Sequence, residues 1–267
     1  MKTDTYRVRP GKKLHLDKIR TDDDGGMDKP KAQAQTAKLG QRLADLQEVL
    51  YAQGTQALLI VLQAMDCGGK DSTIRTVLAP INPQGCKVIS FKGPNDIERK
   101  HDFLWRIHQN VPRAGYVGVL NRSHYEDVLI VRVKSLLPEE RWRPRYDHIN
   151  AFERLLHDEG TRIVKFFLHI SKDYQRERLL KRLQDPSKHW KFDPSDLVER
   201  QHWDEYQRAY EEALSRCSTK QCPWYVVPAE KRWFRDRLIT QVLVETLESM
   251  DLKYPNPTID PNKVVFA

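Results

Sequence analysis

Lys70 is the first residue in the chain whose setting points to chemistry. It closes the stretch Ala64-Met-Asp-Cys-Gly-Gly-Lys70, which follows the apolar run Leu58-Leu-Ile-Val-Leu62 and precedes a helix-forming segment. A strand, a Gly-Gly-Lys turn and a helix in that order make a phosphate-binding loop. Consecutive backbone N–H groups form a concave anion site, and the helix N-terminus adds partial positive charge. Gly68 and Gly69 let the backbone approach oxygen atoms that a Cβ would keep away. A lysine in this position reaches the terminal phosphates of a donor. Two departures from the usual pattern are informative: the first glycine is replaced by Ala64, and the Ser or Thr after the lysine by Asp71. Asp71 reads either as a helix N-cap or as part of the phosphate site. Asp66 lies inside the loop, where a carboxylate repels phosphate unless a cation lies between them, so it reads as a Mg²⁺ ligand. The loop indicates phosphoryl transfer, though not that of an ordinary ATPase or GTPase.

A second cluster is Asn121-Arg-Ser-His-Tyr-Glu-Asp127, directly after the apolar run 116–120. In doubly wound sheets ligands sit beyond the carboxyl ends of strands. Arg122 can clamp a transferring phosphoryl group with paired N–H donors. Glu126 and Asp127 are adjacent carboxylates at the same rim, and one of them is expected to bind Mg²⁺ or to orient the acceptor. His124 suggests a phosphohistidine only in isolation, since nothing else supports a covalent intermediate. Lys92 and Arg106 follow a third run and are candidates for the acceptor's phosphate. Between 172 and 191 the chain carries Lys172, Arg176, Arg178, Lys181, Arg182, Lys188 and Lys191. Arg178 and Arg182 share one helical face, with Lys181 beside them. Such a row suits a linear polyanion and a lid that excludes water. A solvated helix face is the plain alternative, because Asp173, Glu177 and Asp185 dilute the run.

These groups need a scaffold. At 267 residues the chain can bury one large core, and its net charge of +8 favours polyanions without naming one. No run approaches the roughly 20 apolar residues of a membrane span, and the N-terminus has no apolar signal region. The four cysteines form no CxxC pair and read as free thiols of a reducing compartment; Cys217 and Cys222 lack the companions of a metal site. Short β-branched or aromatic runs occur at 57–62, 86–91, 116–120, 163–170 and 224–228. Helical stretches separate them, at 71–78, 96–109, 145–159, 173–184, 197–216 and 231–250, with another at 31–53 before the first run. The alternation predicts an α/β fold with a five-stranded parallel sheet flanked by helices. Residues 1–30 read as an N-terminal arm, 31–254 as one domain with a lid at about 172–200, and 255–267 as an extended tail.

The motifs 64–71 and 121–127, with His101-Asp-Phe-Leu-Trp-Arg106, Asp185-Pro-Ser-Lys-His-Trp-Lys191 and Pro223-Trp-Tyr-Val-Val-Pro228, closely resemble those of the family-2 polyphosphate kinases. These are P-loop kinases similar to thymidylate kinases. The resemblance spans nearly all of 31–250. It implies a P-loop kinase-like fold with a helical lid, polyphosphate as phosphoryl donor, and Mg²⁺ held at Asp66 and at the Walker B-like carboxylates. It also implies that Arg178 and Arg182 bind the donor. The 121–127 motif is similar to that of the third class, which phosphorylates both nucleoside mono- and diphosphates. Other classes carry an aspartate where this chain has Asn121, so Asp127 is expected to take its place.

The site expected from the sequence is therefore Lys70, Arg122, Asp66 and Asp127 for catalysis, the last two also for Mg²⁺. Gly68, Gly69, Lys70, Asp71, Arg178, Lys181 and Arg182 hold phosphate, and Lys92, Arg106, Asn121 and Glu126 hold the nucleotide. The expected protein is a cytoplasmic homo-oligomer that acts on polyphosphate, AMP, ADP and ATP, with no nucleic-acid or membrane partner. An ATP-dependent nucleoside monophosphate kinase and a non-catalytic RNA- or polyanion-binding protein are the alternatives.

Overall fold

The structure, a computed structural model, describes residues 1–259 and 263. Five parallel strands form one sheet in the order β2-β3-β1-β4-β5. They are β1 (Ala57–Ala64), β2 (Cys86–Ser90), β3 (Val117–Asn121), β4 (Thr161–His169) and β5 (Trp224–Pro228). The helices are α1 (Lys29–Gln53), α2 (Lys70–Val77), α3 (Trp105–His108), α4 (Glu126–Val133), α5 (Glu139–Trp142), α6 (Arg145–Asp158), α7 (Lys172–Gln184), α8 (Ser195–Gln201), α9 (Trp203–Cys217) and α10 (Arg232–Glu248).

Every residue of β1 is buried, as are those of β3 and β5. Near-continuous apolar strands are what a sheet covered on both faces demands. Helices α1, α2 and α10 pack together on one side, and α4, α6 and α9 on the other. β2 is an edge strand and stays partly exposed. The opposite edge, β5, is covered by the first residues of the chain. Arg7 forms an antiparallel bridge with Tyr225, and the Val8 N–H donates to the Trp224 carbonyl at 2.9 Å. Further along this arm, Leu16 is fully buried, and Nε2 of His169 contacts the carbonyls of Leu16 and Ile19 at 3.1 and 3.2 Å. The arm thus caps a row of otherwise unpaired backbone groups.

Two helix expectations need correction. The segment 96–109 is a 3-10 turn at Glu98–Lys100 followed by the short α3. Here Asn95 Oδ1 accepts from the N–H of Ile97 and of Glu98, and Asp102 Oδ1 accepts from the N–H of Leu104. Such local side-chain bonds compete with a continuous helix. The segment 197–216 is two helices broken at His202. In addition, α4 and α5 were not anticipated, since the apolar run Val128–Val131 carries no clear period. Residues 260–262 and 264–267 of the expected tail lie outside the described residues.

The sheet order fixes where a ligand can bind. The chain leaves β1 for α2 and the β2–β3 edge, then returns across β1 to β4. Leu62 of β1 pairs with Asn121 of β3, and the N–H of Arg122 donates to the Leu62 carbonyl at 3.1 Å. The loop after β1 and the loop after β3 therefore open side by side at the carboxyl edge of the sheet.

Candidate active site

The loop between β1 and α2 is built for close approach. Cys67 and Gly69 both have positive φ, 65° and 95°. A Cβ on Gly68 would lie 2.5 Å from Ala64 Cβ and 2.9 Å from the Met65 carbonyl, so only glycine fits. Lys70 opens α2 and folds back, its Nζ donating to the Ala64 carbonyl at 3.0 Å. Burial pushes the Lys70 amine below its usual range, and neighbouring Arg122 adds to the shift. Burial also pushes the Cys67 thiol up to about 11, so it stays protonated at neutral pH and is a poor nucleophile.

Arg122 turns toward the loop from a left-handed backbone, φ 60°, and its Nη2 donates to Asp66 Oδ1 at 2.8 Å. Glu126, at the first position of α4, lies in the field of the same group. Burial and Asp66 push its carboxyl up, while Arg122 and Lys70 oppose the shift. The Gln63 amide, turned so that both its ends are satisfied, donates to Glu126 Oε1 at 3.1 Å and accepts from Ser123. Lys70, Arg122, Asp66 and Glu126 thus form one charged cluster.

Lys70, Arg122 and Asp66 open onto a cleft of about 490 Å³, with Glu126 set back from its wall. Its walls carry nine cations, Lys70, Arg75, Lys92, Arg122, Arg178, Arg182, Lys188, Lys191 and Arg232, against the four carboxylates of Asp66, Asp71, Asp193 and Asp196. The excess is what a polyanion requires. Most expected site residues reach it: Gly68, Gly69, Asp71, Lys92, Asn121, Arg178 and Arg182 all line it. Asn121 donates to Asp71 Oδ1 at 2.8 Å, which ties the two strand-end loops together. Arg182 donates to Asp196 Oδ2 and to the Lys191 carbonyl, both at 3.1 Å. Burial and the charge of Asp66 push the Asp196 carboxyl up to about 6. The base of α7 is fixed to the loop by Gln175, whose Nε2 donates to the Asp66 carbonyl at 3.0 Å.

Four expected residues do not line the cleft: Glu126, set back beside Arg122 and Lys70, and three others. Asp127 is held between Arg145, 3.3 Å away, and Arg106, 3.7 Å away. Arg106 is itself buried; it donates to the Lys92 carbonyl at 2.8 Å and so supports the backbone that presents Lys92. Lys181 is exposed and paired with Glu177 one turn away. Conversely, the sequence reading missed Arg75, Arg232, Asp193 and Asp196. Arg232 was within reach, since it follows the carboxyl end of β5, where ligand-facing residues gather.

Beneath the 121–127 loop lies a dry ionic network. Lys165 on β4 and Glu153 on α6 form a buried ion pair. The Lys165 amine also donates to the Tyr125 hydroxyl at 2.9 Å and to the Cys217 carbonyl at 2.7 Å. Tyr125 donates to Glu153 Oε1 at 2.8 Å, and His124 Nε2 lies 3.2 Å from the same oxygen. Burial opposes the charge on Glu153, but Lys165 and His124 outweigh it and hold the carboxyl below its usual range. His124 is therefore a buried structural partner. The network pins His124 and Tyr125, two of the three residues between Arg122 and Glu126.

A glycine-rich anion loop, a folded-back lysine, an arginine–carboxylate cluster and a cationic cleft define a phosphoryl-transfer enzyme on a P-loop kinase-like fold. The family model described as Polyphosphate kinase 2 matches residues 26–255, and the chain belongs to that family. It is 52% identical over 263 residues to the AMP/ADP-polyphosphate phosphotransferase of Meiothermus ruber, with 98% of each chain covered. It is 46% identical over 271 residues to the ADP-polyphosphate phosphotransferase of Rhodopseudomonas palustris, covering 97% of this chain and 94% of that one. The crystal structure of polyphosphate kinase 2 from Arthrobacter aurescens TC1 superposes with a TM-score of 0.93 at 43% identity, covering 97% of this chain and 93% of that one.

The network generates a stability prediction. Lys165→Met leaves Glu153 buried without its counter-charge and lowers unfolding free energy by about 3–5 kcal/mol. Lys165→Met/Glu153→Gln, which removes both charges, recovers most of the loss. Denaturant midpoints read both effects; equal losses in the single and double variants would mean that the ion pair is not what holds the loop.

Proposed function

We propose that this enzyme transfers the terminal phosphoryl group of inorganic polyphosphate to AMP and ADP, and runs in reverse from ATP. The observation that carries the reading is the single cleft in which the phosphate loop continues into the cations of α7 and the following turn. A track of this kind suits a donor longer than a nucleotide triphosphate. The AMP/ADP- and ADP-polyphosphate phosphotransferases to which the chain is similar support the same assignment.

The geometry divides the work. Loop N–H groups and Lys70 hold the reacting end of the donor, and Arg178, Arg182, Lys188 and Lys191 hold the chain behind it. Lys92, supported by Arg106, and Asn121 face the acceptor's phosphate. Arg122 turns between loop and acceptor and neutralises charge on the transferring group. The acceptor oxygen is already anionic, so no strong general base is required. Rate enhancement then comes from alignment and charge neutralisation.

Asp66 and Glu126 offer hard oxygen donors, and a divalent cation held by them would offset the burial and, to a lesser degree, the charge of Asp66 that push the Glu126 carboxyl up. We assign Mg²⁺ to these two residues, which would hold it; the ion would supply positive charge to neutralise the phosphates. Asp127, already paired with two arginines, supports this site from α4. Four free thiols support a reducing, cytoplasmic setting.

Two predictions follow from these roles. Incubated with Mg²⁺ and AMP, the wild type forms ADP and then ATP from polyphosphate, and Lys70→Ala slows this about 10²–10³-fold, the usual effect of losing one transition-state contact. Transfer that requires ATP and ignores polyphosphate would instead assign a nucleoside monophosphate kinase. Second, Asp66→Asn and Glu126→Gln each raise the Mg²⁺ concentration needed for half-maximal rate, whereas Asp127→Asn leaves it in place. A Mg²⁺ curve displaced only by Asp127→Asn would move the metal to that carboxylate.

A further inference from the structure

Behind the phosphate loop stands an arginine that the roles above do not use. Arg235 lies in the opening turns of α10 and is 1% exposed. Its Nε donates to Asp236 Oδ1 at 2.8 Å, and its Nη2 lies 2.7 Å from the same oxygen. Its Nη1 stands against Gly69, 2.3 Å from where a Cβ on that residue would lie. A Cβ added to Gly69 would collide with this nitrogen before meeting any other atom. Gly69 is the residue whose left-handed backbone starts α2, and its carbonyl is held by the Ser72 hydroxyl at 2.9 Å.

The surroundings add to the charge. One turn earlier, on the same face of α10, Arg232 lines the cleft. No acidic residue stands in the first turn of α10, so nothing there offsets the positive end of the helix dipole. Two helix N-termini, those of α2 and α10, and two arginines therefore meet at the loop. An anion bound in the loop experiences them all, and the buried member is screened least by salt.

We propose that Arg235 is a positioning residue for the donor phosphate: anchored by Asp236, it braces Gly69 from behind and places a fixed, buried positive charge under the anion site. This rests on the reading of the cleft as phosphate-binding and deepens it. The ligand class is the terminal group of a linear inorganic phosphate. The effect is tied to the loop, so it is the same for short and long donors, unlike that of cations along α7. It also explains why Gly69 must be glycine, because the space its side chain would take is filled by a guanidinium.

The test is calorimetric binding of inorganic triphosphate in Mg²⁺ without nucleotide. Arg235→Met alone would strand Asp236, so Arg235→Met/Asp236→Asn removes both charges together. We expect this double variant to bind triphosphate about tenfold more weakly, as for loss of one charge-assisted contact. The KM for AMP and the circular dichroism spectrum stay at wild-type values. Asp236→Asn alone keeps the Oδ1 acceptor that anchors the Arg235 Nε, removes only the counter-charge, and binds triphosphate at least as tightly as wild type. Arg235→Lys restores part of the affinity. Unchanged triphosphate binding in the folded double variant overturns the proposal, as does weaker binding by Asp236→Asn. Because the readout is binding, a wild type that holds triphosphate but fails to phosphorylate AMP from polyphosphate would refute the donor assignment while leaving Arg235 supported.

Discussion

The constraint on which the rest depends is the tight backbone turn at residues 66–70, to which we assign the approach to phosphate. It requires glycine at 68, where a Cβ would strike Ala64, and a left-handed turn at 67 and 69. It also requires a rigid strand to launch the loop, which β1 supplies from the middle of the sheet. The helix that receives the loop must start at Lys70, so that its amine folds back over the turn. Each of these needs is met by local sequence, but only the buried sheet holds them in register.

Concentrating cations around that loop carries its own cost, because like charges repel when no anion is bound. The molecule offsets this by giving many of them an internal partner. Arg122 is paired with Asp66, Arg182 with Asp196, and Lys188 with Asp185. These carboxylates keep the cations oriented and leave them exchangeable. Asp196 shows the limit of such pairing: burial and the charge of Asp66 push its carboxyl up to about 6 although Arg182 pulls the other way. The Lys165–Glu153 pair is of a different kind, since it is dry and lies under the site instead of in it.

Much of this was legible in the sequence, for physical reasons. Buried parallel strands leave continuous apolar runs, and the five expected runs are the five strands. Gly68, Gly69, Lys70 and Arg122 stood at strand ends, where ligands gather, and the structure brings them together with Asp66. The choice between Glu126 and Asp127 was not legible. Neighbouring residues on a helix point about 100° apart, and nothing local says which one faces the loop. Arg106 was misplaced for a related reason: the side chains of Asn95 and Asp102 break the expected helix, and the arginine turns inward. Lys181 was grouped with Arg178 and Arg182 by charge, yet Glu177 claims it on the exposed side of α7. Arg235 carried no signal at all, because only the tertiary fold sets α10 against the phosphate loop.

The central claim is that the anion is held by the bare backbone at the start of α2. Gly68→Ala tests this most directly, because it adds one methyl group and changes no charge. Titration of the variant with inorganic triphosphate should show binding lost, or weakened by at least about tenfold, with the thermal unfolding profile still cooperative. Wild-type affinity in Gly68→Ala would contradict the account, since the cationic side chains alone would then suffice and the loop would be a bystander.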